Sequence, residues 1–197
     1  CEDGKWAWDE DTFGNGYVAA RTLYDGTGFN ATLKGLEIAI LEDGTAAVVY
    51  TLDTDISNGG STDWETVVAI IPAGEESESE DSVRTFQLTS DANLEENPQI
   101  TTTEFEDNEE RFVVAWHTEW AITKSTNGET ESDIRLAVLD KDGVLYGNMP
   151  ESLRIATGGA GDTVGSNFRF AKNIEDLSIL WADTISGEAD EQSYDSI

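Results

Sequence analysis

The sequence predicts an all-β fold built from a repeat, and three observations carry that reading. Tyr50, Trp116 and Trp181 each close a short apolar run: Ala46-Ala47-Val48-Val49-Tyr50, Phe112-Val113-Val114-Ala115-Trp116 and Leu177-Ser178-Ile179-Leu180-Trp181. The steps between them are 66 and 65 residues in a chain of 197, and a fixed period of that size marks a repeat architecture. Short β-rich runs alternate with Gly, Asn and Asp clusters, while no segment carries a helical period. Pro72, Pro98 and Pro150 all fall at the ends of the expected strands, where a missing N–H is tolerated.

The elements follow in order. Lys5 to Trp8 and Tyr17 to Leu23 read as the third and fourth strands of a first, partial unit. Leu36 to Leu41, Ala46 to Leu52, Glu65 to Ile71 and Val83 to Leu88 make a full unit. Ile100 to Glu106, Arg111 to Glu119, Ile134 to Asp140 and Leu153 to Thr157 make the next, with alternation clearest in Ile134-Arg135-Leu136-Ala137-Val138. Phe168 to Lys172 and Leu177 to Asp183 begin another. Four antiparallel strands in about 65 residues is the make-up of a β-propeller blade. The expected division is therefore the C-terminal half of a blade over 1–33, blades over 34–96 and 97–165, and the N-terminal half of a blade over 166–197. Two whole blades and two halves fall short of the usual ring. The remaining blades are expected from a longer chain or from a second chain, one option being a copy of this one.

Asn97-Pro98-Gln99-Ile100, Arg111-Phe112-Val113-Val114-Ala115-Trp116 and Asp133-Ile134-Arg135-Leu136-Ala137-Val138-Leu139-Asp140-Lys141-Asp142-Gly143 resemble the blade repeats of large secreted or surface-attached bacterial proteins. The resemblance covers 97–165 well and 34–96 more loosely. In the earlier unit Gly35-Leu36-Glu37 replaces Asn-Pro-Gln, and Ile71-Pro72-Ala73-Gly74 replaces the Asp-x-Asp-Gly turn. The resemblance implies an extracellular scaffold or adhesin and transfers no catalytic residue.

Charge narrows the partners. Forty-one acidic against 11 basic residues leave a formal net charge of −30. Nucleic acid needs a basic patch, and none is visible; an anionic membrane surface is disfavoured on the same ground. No transmembrane stretch occurs in the sequence, so no membrane insertion is expected. Cys1 is the only cysteine, which excludes an intrachain disulfide. The acid content fits a secreted or cell-surface protein, and equally a halophile's.

In a blade the loops after the second and fourth strands open on one face. The two-to-three connections are long, at Asp53 to Asp63, Trp120 to Ser132 and Thr184 to Ser193, so binding is expected on that face. Trp64 and Trp120 lie in or beside these loops and do not recur, which makes them the candidate ligand contacts for a protein or glycan. Trp116 and Trp181 recur with Tyr50 and read as packing between blades. Asp53-Thr54-Asp55-Ile56-Ser57 opens like a calcium loop, with oxygens at alternate positions. Asp53, Asp55, Asp63 and Glu65 are its candidate ligands, although Asn58 stands where the loop's glycine belongs and an acidic solvated turn explains the same residues. His117, the only histidine, lacks a nucleophile beside it and reads as structural. Gly158-Gly159-Ala160-Gly161 lacks the lysine of a phosphate loop. The reading is thus a non-catalytic scaffold or adhesion module. A carbohydrate-active enzyme using paired carboxylates on the same face is the alternative. The two separate on whether acids share a pocket with shifted pKa values or stand dispersed in solvent.

Overall fold

The computed structural model describes residues 33–53, 64–73, 83–91, 93–119, 132–146, 153–157, 163–164, 167–172, 176–181, 183–184 and 193–196. These are strands and the turns between them, with no α-helix among them. Strands β1 (Leu33–Ile40), β2 (Ala46–Asp53), β3 (Trp64–Ile71) and β4 (Arg84–Gln87) pair antiparallel in sequence order. Strands β5 (Leu94–Glu104), β6 (Glu110–Glu119), β7 (Ser132–Leu139) and β8 (Leu153–Thr157) repeat the same meander. One parallel bridge, Trp64 to Leu94, links the two. A third group opens with β10 (Arg169–Lys172) and β11 (Leu177–Trp181). No closed barrel or ring forms among the described residues.

Two features differ from the sequence expectation. The run expected from Leu177 to Asp183 breaks after Trp181: β12 (Asp183–Thr184) leaves β11 and pairs with β9 (Thr163–Val164). A short β13 (Ser193–Ser196) then returns to β11 as its outer neighbour. The runs Lys5 to Trp8 and Tyr17 to Leu23 lie outside the described residues.

The groups meet face to face. One core holds Ala47, Val49, Val68 and Ile70 from the first meander against Ile100, Phe112, Val114 and Trp116 from the second. A second core holds Val113, Ala115, Ile134, Leu136 and Val138 against Phe168, Leu177, Ile179 and Trp181. The second meander is thus buried on both faces, which explains why β6 and β7 read as apolar runs. On the far face of the first meander Val48, Tyr50, Val67 and Ala69 form a third cluster. Tyr50, Trp116 and Trp181 are all buried; Tyr50 lies on the face of the first meander turned away from the second, and Trp116 and Trp181 lie on the face of their group turned toward the preceding one.

The repeat has a local anchor in its first strands. β1 carries a bulge between Lys34 and Glu37, and β5 one between Glu96 and Gln99. Each contains a left-handed residue, Gly35 at φ 63° and Asn97 at φ 49°. The sequence correspondence of Gly35-Leu36-Glu37 with Asn97-Pro98-Gln99 is therefore a correspondence of bulges. Tyr50 and Trp116 both stand opposite a bulge. From bulge to hairpin, β1 runs over Glu37–Ile40 and β5 over Gln99–Glu104, two residues longer, and β6 is longer than β2 by the same two.

Gly35 is needed twice over. Its backbone is left-handed, and a Cβ there would lie 2.5 Å from Pro98 Cδ on the neighbouring strand. Gly35→Ala is expected to lower the unfolding free energy by about 2–3 kcal/mol, the sum of overpacking and left-handed strain. Urea unfolding at unchanged m-value checks this, and a midpoint equal to the parent's would show that β1 does not press on β5.

The hairpin turns share one geometry. Leu41 N–H donates to Thr45 O, Phe105 N–H to Glu109 O and Asp140 N–H to Val144 O, each at about the usual amide distance. Asp43, Asp107 and Asp140 each accept an amide from two residues on, which favours aspartate in each turn, in third place in the first two and in first place in the last. Gly143 in the Asp140-Lys141-Asp142-Gly143 turn sits against Phe86, where a Cβ would fall 2.2 Å from the ring. The second meander's turn therefore docks on the fourth strand of the first.

Candidate functional site

At the end where β2 leads to β3, a cavity of about 270 Å³ opens between the first and second meanders. Both bulges line it, through Gly35 and Asn97, together with Lys34, Trp64, Glu95 and Glu96. Bulges re-aim side chains, and they gather next to sites for that reason. This is the end on which the long two-to-three connections were expected to open.

Glu95 is the site's unusual group. It sits on β5 opposite Thr118 and is 1% exposed. Its Oε1 accepts from Thr118 Oγ1 at 3.4 Å, while Oε2 has no hydrogen-bond partner. Burial pushes its pKa up to about 8; Asp91 and Glu65 add repulsion, and Arg135 and Thr118 oppose it. At neutral pH Glu95 is a neutral acid able to donate one hydrogen bond. Glu96, the next residue on the strand, points to the opposite face, so Glu95 and Glu96 do not form a facing carboxylate pair.

Trp64, a candidate contact from sequence, is 7% exposed and starts β3, directly beside the long connection. Lys34 Nζ lies 3.8 Å from its ring centroid. The ring is thus covered by an ammonium group and forms a wall of the cavity, not an open stacking platform. Trp120 lies outside the described residues.

The acidic-loop residues divide. Asp53 ends β2, half-buried, opposite Trp64. Glu65 is buried and projects from the other face of the sheet, since it follows Trp64 on the strand. Thr89 Oγ1 donates to its carboxylate while accepting from Thr66 N–H at 2.8 Å. Asp55 and Asp63 lie outside the described residues. Among the described residues no group of three or more His, Cys, Asp or Glu side chains is placed to hold a metal ion. His117 is buried opposite Ile134, on the strand face opposite Trp116.

At the other end a cavity of about 370 Å³ lies among the three hairpin turns, lined by Glu42, Asp43, Glu110, Arg111, Asp140 and Asp142. Its polar groups are engaged with one another. Glu110 accepts from Glu42 N–H at 2.6 Å, and Asp140 accepts from Asp142 and Val144 N–H. Arg111 grips Asp107 with both Nη atoms and stacks 4.1 Å from the Tyr146 ring centroid. The Arg111 hydrogen bond holds the Asp107 carboxyl down at about 2. The Thr45 amide likewise lowers Asp43. This end reads as turn architecture.

Comparison of the chain with protein-family models, with curated proteins and with solved structures finds no match to any of them. Among the described residues no helix is long and apolar enough to cross a membrane.

Proposed function

We propose that the chain is a non-catalytic binding module of propeller-type blades, acting as a secreted or cell-surface scaffold or adhesin, with its ligand taken at the cavity between β1 and β5. One observation carries the reading: Glu95 stands in the bulge-framed cavity as a single neutral carboxyl with no second carboxylate facing it among the described residues, whereas the carbohydrate-active alternative needs a pair. The meander order, the shared bulge and the face-to-face cores are what blades of one propeller would have. A neutral acid beside Lys34 and Asn97 suits a hydroxyl-bearing ligand, a glycan or a protein loop, better than an anion or a nucleic acid. With 41 acids in the chain, phosphate is repelled.

The test is a glycan array run beside a hydrolysis screen. Expected is binding without turnover that weakens at least tenfold in Lys34→Ala, with circular dichroism showing that the variant keeps the parent's fold. Turnover that vanishes in Glu95→Gln would instead establish the carbohydrate-active alternative, which the raised Glu95 pKa favours. Calcium in the 53–63 loop would draw on Asp53, Asp55 and Asp63, with Glu65 held by Thr89. A melting temperature raised by millimolar calcium, and not raised in Asp55→Asn, supports that site; unchanged melting leaves a solvated acidic turn.

A further inference from the structure

The first strands stand side by side, β1 against β5 and β5 against β10. The apolar contacts follow one rule, while two polar side chains reach round the strand, Gln99 to Glu37 of β1 and Lys172 of β10 to Thr102. A first strand offers one face to the strand after it and the opposite face to the strand before it. On β5 the face toward β1 carries Pro98, Ile100 and Thr102, all buried. Counting from the shared bulge, the same positions on β1 are Leu36, Ile38 and Ile40. They are 60%, 56% and 59% exposed, and Leu33 on the same face is 40% exposed. The register confirms the face: Ile38 stands opposite Val48 and Leu33 opposite Leu52, which belong to the cluster turned away from the second meander. Four large aliphatic side chains on one strand face are bare where their counterparts one unit later are covered.

The complementary face lies at the other end of the series. Aligned on the hairpin pairs Ile40 with Ala46 and Lys172 with Leu177, the residues Ala171, Ser178 and Leu180 take the places of Ala39, Ala47 and Val49. In the first meander those three pack into the core against the second. In the third group Ala171 is exposed, and Ser178 and Leu180 are half-exposed. The chain therefore carries both halves of its own inter-unit contact, one open on β1 and one open on β10–β11.

We propose that the β1 face of one chain docks on the β10–β11 face of a second copy, head to tail, in the geometry that joins the units within the chain. The occupant is chosen by continuity: the same small-residue face already covers the same positions one unit later. Such a contact is heterologous, so it either closes a ring or extends. Each copy carries a net charge of −30, so approach is opposed until salt shortens the screening length from about 10 Å at 0.1 M to about 3 Å at 1 M. Association strengthens with salt, as expected of an apolar contact between like-charged bodies.

Sedimentation velocity of the 197-residue chain at low and high sodium chloride tests this. Expected is a species of two or more chains at high salt, and one chain's mass at both salts for Ile38→Asp and for Leu180→Asp. Circular dichroism checks that both variants keep the parent's fold; should Leu180→Asp, at a partly buried site, lose it, Ala171→Asp at the exposed position of the same face takes its place. Mixing the two variants restores a species of two chains, since each supplies the face the other lacks. Three results would overturn the proposal. One is a parent monomeric at every salt. Another is association unchanged by Ile38→Asp. The third is failure of the mixture to associate, or association of Leu180→Asp alone, which a β1 face pairing with its own copy would give.

Discussion

Trp116→Ala lowers the unfolding free energy by about 3–5 kcal/mol, the range for emptying an aromatic core site. The indole is fully buried and lies where the second meander meets the first, in contact with a core that draws on both. Its Nε1 has no hydrogen-bond partner, so what it contributes is packing. Trp116→Phe should therefore cost much less, because it removes volume but also removes a buried unsatisfied donor. Denaturant unfolding of the two variants provides the comparison. A loss below about 1 kcal/mol for Trp116→Ala would mean that the two meanders do not rely on this contact.

Glu95→Gln stabilises the protein at neutral pH. The folded-state pKa of about 8 stands well above the ordinary value of 4.5. A carboxyl raised in this way contributes fully below the unfolded pKa, and its contribution is lost as pH rises from there toward the folded value. At pH 7 the unfolded chain holds Glu95 ionised while the folded chain holds it neutral. The gap amounts to about 3 kcal/mol at roughly 1.4 kcal/mol per pKa unit. Gln keeps the shape and carries no ionisation, so the variant is more stable by that order at pH 7 and flat where the parent falls. Melting temperatures of parent and variant from pH 4 to 8 decide the matter. Parallel curves would show that Glu95 is ionised in the folded chain.

The strands were legible because burial writes a period into the sequence. Leu153 to Thr157 was delimited from pattern alone, and Ala46 to Leu52 to within a residue. The bulge was legible as a correspondence of Gly35-Leu36-Glu37 with Asn97-Pro98-Gln99, because both need a residue that tolerates φ > 0. Trp64 was legible as a residue beside the long connection, but not its burial. Its burial depends on Lys34 and on pairing with Asp53, thirty and eleven positions away, and no local pattern carries either. Glu95 was missed for a different reason. One acid among 41 is singled out only by what surrounds it in three dimensions, and its one local signal is its place just before the Asn97-Pro98 bulge. The departure of Asp183 and Thr184 to pair with β9 was also hidden, since β9 is a two-residue strand with no period of its own.

The hairpins of the first two meanders differ in length by two residues on each arm. Because side chains alternate along a strand, growth by two keeps every residue on its own side, whereas growth by one would send each beyond it to the opposite side. Length in this molecule is therefore quantised. An arm can lengthen or shorten in even steps, with its partner matching it, and the unit still stacks on its neighbours. An odd step would turn the β2 row Val48-Tyr50 toward the space held by Ala47 and Val49. The spacing between recurrent residues thus depends on where it is measured. It is 62 between the bulges and 66 between the aromatic residues opposite them. A search for further units tuned to one fixed period would pass over members that a rule of even increments would find.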